Sequence, residues 1–160
     1  MGDEKQESGT AALCNVTFRK SMDVGPKHHM CKLDQSSQLS SWPIQVRLAQ
    51  ADAPYFKDAR LLIAADCSGF ASPSISNFIK GKVVLIGCPK LDETKPFVEK
   101  LSEILRSNEV KEITVLHMEV PCCSNLVRLV LEAVLKSGKN ISLEQFICMI
   151  DGAVVKREKA

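Results

Sequence analysis

Three short apolar segments stand out in the hydrophobic pattern of this chain. They cover residues 61–65 (LLIAA), 83–86 (VVLI) and 113–118 (ITVLHM). The first two are apolar at every position rather than at every second one. A strand of this kind needs cover on both faces, which is typical of the centre of a parallel sheet. The pattern therefore predicts three buried parallel strands.

Helical spacing fills the gaps between these strands. Residues 72–80 form a short crossover between the first two. In the second gap, Thr94 can cap a helix whose first turn contains Pro96. The apolar face of that helix consists of Phe97, Val98, Leu101, Ile104 and Leu105. Residues 125–136 predict the next helix, and Gly138 follows it as a C-terminal cap.

Two further patterns lie at the ends of this region. Residues 42–49 alternate between apolar and polar positions, which predicts an opening strand with Trp42 packed against the sheet edge. Residues 145–150 and 153–156 flank an Asp151-Gly152 turn, which predicts a C-terminal hairpin. The alternation of strands and helices predicts an α/β fold: an open, mostly parallel, flavodoxin- or Rossmann-like sheet with helices on both faces.

The domain organisation follows from a change in composition near residue 39. Residues 1–38 are polar and lack a sustained period, so we expect a flexible or irregular N-terminal arm before an α/β domain over residues 39–160. The arm contains Cys14, His28, His29 and Cys31. Imidazole and thiolate can bind zinc, but no second Cys-x-x-Cys pair accompanies them, and a solvated loop is the alternative.

Composition and charge narrow the classes of partner. A net charge of +2 without a dense Lys/Arg stripe gives no basis for nucleic-acid binding. No apolar run approaches the roughly 18 residues that span a bilayer. The first ten residues lack the apolar core of a signal peptide, so we expect a cytoplasmic protein without membrane attachment.

Cysteine is the most informative residue type. The chain has seven cysteines, an odd number that favours metal or redox chemistry over structural disulfides. Four of them follow predicted strands: Cys67, Cys88, Cys122 and Cys123. The carboxyl ends of parallel strands open onto one crevice, so we expect these thiols to share a site. Cys148 lies within a strand pattern and is expected to pack in the core.

The chemistry of such a site stays open at this point. Four thiolates fit a tetrahedral zinc ion or an iron–sulfur cluster. Adjacent residues such as Cys122 and Cys123 often point apart, so a reactive dithiol surface or buried packing are alternatives. A helix N-terminus directly after the pair would favour a thiolate there.

Other candidate groups near these cysteines carry weaker signals. Residues 87–92 lack a phosphate-loop pattern, and no nucleotide is predicted. Lys90 and Asp92 could pair on the surface. His117 is either a hydrogen-bonded core histidine or a supporting donor to the cysteine site, and Glu119 could carry a proton.

Two sequence blocks, CPKLD and MEVPCC, resemble the C-terminal module of anaerobe iron–sulfur proteins usually labelled ferredoxins. The resemblance covers residues 39–152 and includes Cys67, Cys88, Cys122 and Cys123. It implies redox chemistry in anaerobic metabolism with a redox protein as partner, but not the two-cluster electron transfer of those proteins. The chain differs from those proteins in lacking their Cys-x-x-Cys-x-x-Cys-x-x-x-Cys cluster motif.

These observations lead to one preferred function and two alternatives. We expect an iron–sulfur or metal-binding protein, with zinc as the other metal, that serves as a redox or electron-transfer accessory. The first alternative is a thiol-based oxidoreductase in which Cys122 or Cys123 is reactive at a helix N-terminus. The second is a non-enzymatic partner-binding module of a ferredoxin system.

Overall fold

The computed structural model describes residues 37–157 of the chain. The arm predicted over residues 1–38, with its cysteines and histidines, lies outside this part except for its last two residues. None of the helices between residues 37 and 157 is long and apolar enough to cross a membrane.

Five strands form one sheet in the order β2-β1-β3-β4-β5. The first four strands are parallel to their neighbours, and β5 is antiparallel to β4. The prediction of an open, mostly parallel sheet with a C-terminal hairpin is therefore confirmed. The strands are β1 (Arg60–Ala65), β2 (Val83–Gly87), β3 (Glu112–Met118), β4 (Ser142–Cys148) and β5 (Val154–Arg157).

Helices cover both faces of the sheet. They are α1 (Ser68–Ala71), α2 (Ile75–Ile79), α3 (Thr94–Ser107) and α4 (Pro121–Ser137). The helices α3 and α4 pack against each other. The ring of Phe78 in α2 contacts Phe146 of β4, with ring centroids 5.1 Å apart. Every residue from Leu61 to Ala65 is buried, as expected for a central strand with cover on both faces.

The apolar face predicted for α3 is confirmed, whereas α4 differs from its prediction in where it begins. All five apolar residues predicted for α3 are buried. Gly138 ends α4 with a φ of 73°, which glycine adopts more readily than other residues. However, α4 begins at Pro121 rather than at residue 125. Proline suits a first helical position because its missing N–H would have no partner there. Cys122 and Cys123 therefore lie inside the first helical turn.

The opening strand predicted over residues 42–49 is wrong. Only Gln45 forms a bridge, parallel to Ile86, and the chain then turns through a 3-10 helix over Val46–Leu48. Burial at Val46 and Ala49 follows helical spacing instead of alternation. The prediction that Trp42 packs against the sheet is also wrong, since this side chain is 73% exposed.

The sheet has one point where the chain reverses its direction of progress across the strands. From β1 the chain crosses to β2 on one side, and it then returns past β1 to β3 on the other. In open α/β sheets, ligand sites form outside the carboxyl ends of the strands at such a point. The fold therefore directs attention to the segments that follow β1 and β3.

Gly87, the last residue of β2, gives a direct test of the packing at this edge. A Cβ atom there would lie 2.6 Å from Cε2 of Phe97 and 3.0 Å from Oδ2 of Asp92. We expect Gly87→Ala to lower the free energy of unfolding by about 1–3 kcal/mol through overpacking. Urea denaturation measures this change.

Gly69 in α1 is the matched control, because a Cβ atom there has no neighbour within 4 Å. Gly69→Ala should leave stability unchanged or raise it by up to about 1 kcal/mol. Equal stability of the two variants would contradict the packing described for Gly87.

Candidate functional site

Cys67 lies directly after β1 and precedes the short helix α1. The hydroxyl of the buried Ser68 donates a hydrogen bond to the carbonyl oxygen of Ala65 at 2.7 Å, which fixes the chain as it leaves the sheet. The carbonyl oxygen of Cys67 accepts from the N–H groups of Phe70 and Ala71. With its backbone held in this turn, the Cys67 side chain is exposed to solvent.

Cys122 and Cys123 occupy the first turn of α4, directly after β3. The N–H of Cys123 donates to the carbonyl oxygen of Val120 at 3.0 Å. Successive helical residues are rotated by about 100°, so adjacent side chains point to different sides. Cys122 is exposed, whereas Cys123 is only 4% exposed. The two neighbouring thiols thus have different environments.

The electrostatics of Cys123 show which thiols lie near it. Burial is the main cause that raises the pKa of Cys123 from 9.0 to about 11. Negative charge on Cys122 and on Cys67 raises it as well, while a hydrogen bond from the Met118 backbone lowers it. Cys67 and Cys122 thus lie near enough to Cys123 to affect its pKa, and Cys123 stays protonated at neutral pH. That the three thiols share one site stays a prediction.

Cys88 occupies a separate turn after β2. Its N–H donates to Oδ2 of Asp92 at 2.8 Å, and its carbonyl oxygen accepts from the N–H groups of Leu91 and Asp92. Because β2 is two strands away from β3, this turn lies roughly 10 Å along the edge from the start of α4. That Cys88 shares the site with the other three thiols stays a prediction.

Two carboxylates, Asp66 and Asp92, follow the ends of β1 and β2 and lie close enough for their charges to interact. Burial raises the pKa of Asp66, and the charge of Asp92 raises it further, whereas a hydrogen bond from Gln45 lowers it. The amide Nε2 of Gln45 lies 3.4 Å from Oδ1 of Asp66. Sequence reasoning did not pair these two aspartates, although both follow strand ends. Among the ion pairs of residues 37–157, none joins Asp92 to Lys90, because Asp92 accepts from the Cys88 turn instead.

His117 is a hydrogen-bonded core histidine. Its Nδ1 lies 2.8 Å from the carbonyl oxygen of Met118, and its Nε2 lies 2.7 Å from the amide nitrogen of Gln145. A neutral ring with the proton on Nδ1 satisfies both contacts. Since both ring nitrogens are occupied, the alternative of a supporting donor to the cysteines is not realised in this arrangement.

Glu119 and Cys148 have structural contacts of their own. A carboxylate oxygen of Glu119 accepts the N–H of Ile150 at 2.9 Å, which holds the turn between β4 and β5. Cys148 is fully buried, and its thiol lies 3.5 Å from the carbonyl oxygen of Met149. Burial raises its pKa, with a smaller contribution from Asp151. The prediction that Cys148 packs in the core is confirmed.

Two open clefts lie away from these thiols. One, of about 460 Å³, lies at the amino ends of β1 and β2 and includes Arg60 and Lys82. The other, of about 720 Å³, lies between α3 and α4. Burial lowers the pKa of Lys82, whose Nζ donates to the hydroxyl of Thr114 at 2.9 Å. The Lys82 side chain thus joins the start of β2 to β3 across β1, which is a structural role.

A bound metal ion or iron–sulfur cluster would require donor atoms that converge on one point. A structural zinc site or a cubane cluster uses four converging ligands. Within residues 37–157, no three His, Cys, Asp or Glu side chains are arranged so that they could hold a metal ion. In this side-chain arrangement the cysteines of the described residues do not form a complete zinc or iron–sulfur site. The predicted iron–sulfur or zinc cofactor stays a prediction.

The sequence of this chain matches one family of known proteins. The family described as Rossmann-like domain matches residues 53–160. The chain belongs to this family. A protein of Archaeoglobus fulgidus, described as an uncharacterized protein, is 32% identical over 117 residues, which cover 73% of this chain and 83% of that relative. No solved structure matches the chain. These findings support the α/β fold and do not identify a reaction or a ligand.

The buried Cys123 predicts how stability depends on pH. Its pKa is about 11 in the folded protein and 9.0 in the reference state, so the folded protein holds this proton more tightly. Stability from this group is fully present below pH 9 and is lost as the pH rises from 9 towards 11. We expect Cys123→Ala to lack this loss. Urea denaturation between pH 7 and pH 11 measures it.

The exposed Cys67 is the control, and Cys67→Ala should keep the wild-type slope. Parallel profiles for wild type and Cys123→Ala would show that the Cys123 thiol is not buried as described.

Proposed function

We propose that this protein is a thiol-based redox protein in which Cys67 and Cys122 form a reversible disulfide. The observation that carries the proposal is that two exposed thiols, Cys67 and Cys122, follow β1 and β3, the two neighbouring strands where the strand order reverses. Thiol–disulfide exchange requires an accessible sulfur atom for attack. Cys67 and Cys122 meet this requirement, whereas Cys123 is buried and holds its proton.

The geometry of adjacent cysteines assigns a special role to Cys67. Disulfide-bonded residues usually have Cα atoms about 4.4–6.8 Å apart. Consecutive Cα atoms are only about 3.8 Å apart across a trans peptide. A disulfide within this cluster therefore includes Cys67.

The proposed reaction is an exchange with the disulfide of a partner protein. The thiolate of Cys122 attacks one partner sulfur and forms a mixed disulfide, while the other partner sulfur leaves as a thiolate. The thiolate of Cys67 then attacks the sulfur of Cys122 and releases the second partner thiolate. Two electrons pass to the partner, and the two protons lost by Cys67 and Cys122 protonate its thiolates. The reverse reaction reduces the Cys67–Cys122 disulfide.

The test is oxidation of the reduced full-length chain by hydroxyethyl disulfide under anaerobic conditions. After alkylation, mass spectrometry should find a disulfide between Cys67 and Cys122. We expect Cys67→Ser to abolish intramolecular disulfide formation and to leave Cys122 joined to one hydroxyethyl thiol. Cys88→Ser and Cys148→Ser should form the wild-type disulfide, because neither thiol takes part.

Two results would contradict the proposal. The first is a Cys67→Ser variant that still forms an intramolecular disulfide, and the second is a wild-type protein whose Cys67 stays reduced. Metal analysis of anaerobically purified protein addresses the iron–sulfur and zinc prediction directly. A stoichiometric metal that is lost in Cys67→Ser would favour that prediction over the thiol proposal.

A further inference from the structure

Three large apolar side chains are exposed in the segments that follow β1, β2 and β4. Phe70 in α1 is 98% exposed, Leu91 is 85% exposed, and Ile150 is 72% exposed. They follow the carboxyl ends of β1, β2 and β4, respectively. Together with Cys67 and Cys122 they define what we call the carboxyl-edge surface. Single exposed apolar residues are ordinary, so the inference depends on how these three are joined to one another and to the thiols.

Hydrogen bonds and packing join the turn of Ile150 to both sides of the thiols. The N–H of Ile150 donates to Glu119, three residues before Cys122. On the other side, a Cβ atom on Gly152 would lie 2.9 Å from Cδ of Pro73 and 3.2 Å from the carbonyl oxygen of Ala71. The turn between β4 and β5 thus rests against the segment that carries Phe70.

The turn of Leu91 is joined to Cys67 through the backbone. The N–H of Asp66 donates to the carbonyl oxygen of Gly87 at 3.3 Å, which fixes the exit from β1 against the exit from β2. The chain then closes the Cys88–Asp92 turn that presents Leu91. The three apolar side chains therefore belong to one continuous edge, with Cys67 between them.

The charge of this edge is opposite to the charge of the whole chain. The segments that follow β1 to β4 (residues 66–67, 88–93, 119–120 and 149–153) contain five carboxylates and one ammonium group. The chain as a whole has a net charge of +2. The acidic residues are Asp66, Asp92, Glu93, Glu119 and Asp151. A partner approaching this edge meets a negative rim around apolar side chains and two thiols.

We infer that the carboxyl-edge surface docks a redox protein whose disulfide is flanked by apolar residues and surrounded by basic ones. This inference rests on the proposed thiol function and names the chemistry of the partner. Complementary charge speeds encounter, and buried apolar contacts hold the complex long enough for exchange. A second copy of the chain would bring two acidic rims together, which like charges oppose.

The experiment compares three disulfides as oxidants of the reduced protein. Two are peptides with one internal disulfide, flanked by leucine and arginine in the first and by leucine and glutamate in the second. The third is neutral hydroxyethyl disulfide. Samples are quenched by alkylation at successive times, and mass spectrometry then gives the rate at which Cys67 and Cys122 are oxidised. At low ionic strength we expect the arginine peptide to react at least about tenfold faster than the glutamate peptide, with the advantage lost at high salt.

Matched variants test the apolar part of the surface. We expect a rate of oxidation by the arginine peptide about fivefold lower in each of three variants, Phe70→Gln, Leu91→Gln and Ile150→Gln. Their rate of oxidation by hydroxyethyl disulfide should equal that of the wild type. Leu135→Gln is the control, since Leu135 is 81% exposed at the far end of α4. It should react with all three oxidants as wild type does. All four side chains are exposed, so their replacement should not affect folding.

The outcomes separate the docking inference from the function on which it rests. If hydroxyethyl disulfide oxidises the thiols but both peptides react equally, or if the glutamine variants react like wild type, the docking inference is overturned alone. If none of the three disulfides oxidises Cys67 and Cys122, the proposed function fails. Dimerisation of the wild type that Phe70→Gln abolishes would overturn the inference by showing that a second copy occupies the surface.

Discussion

Parallel pairing of β1 with β3 is the constraint on which the rest of this structure depends. The two strands run in register from Arg60 beside Glu112 to Ala64 beside Leu116, with buried apolar residues on both faces. A shift by one residue would move every side chain to the opposite face and out of the close packing that it makes there, so the packing on both faces fixes the register. Because the strands are parallel and level, their carboxyl ends meet at the same edge. That pairing is what brings Cys67 near the first turn of α4.

The start of α4 then divides two adjacent cysteines between two environments. Pro121 sets the helix directly after β3, and the helical rotation turns Cys122 outward and Cys123 inward. The inward thiol has a raised pKa because it is buried, and the outward thiol is accessible. Two identical residues side by side thus differ in exposure to solvent because of the backbone geometry of the helical turn. In the proposed exchange reaction, this division is why the exposed Cys67, rather than Cys123, is the partner of Cys122.

Much of the fold could be predicted because its signals are local and strong. The apolar runs at residues 61–65 and 113–118 mark central strands, and Gly138 marks the end of a helix. The alternation at residues 42–49 was misleading, because a single bridge at Gln45 and a 3-10 turn bury Val46 and Ala49 by contacts distant in sequence. The start of α4 was placed four residues late, since a proline after a strand is also typical of a loop.

The candidate site could be predicted only in part. Strand ends indicated where the cysteines lie, but the sequence does not show which of them is exposed, because that depends on how α4 packs on the sheet. The pairing of Asp66 with Asp92 depends on two neighbouring strand exits, which lie far apart in the chain. Phe70 and Leu91 had no periodic pattern around them, and Ile150 lay in a predicted strand that ends at Cys148, so their exposure emerged only from the three-dimensional arrangement of the turns.

The central claim is that Cys67 lies beside the cysteines of α4 at the carboxyl ends of the paired strands β1 and β3. A crystal structure of the reduced protein, grown without oxygen, measures this directly through the distances between sulfur atoms. We predict that Sγ of Cys67 lies within about 8 Å of Sγ of Cys122, a gap that side-chain rotation and a small loop movement can close. A larger separation, or a Cys67 side chain directed away from α4, would contradict the account.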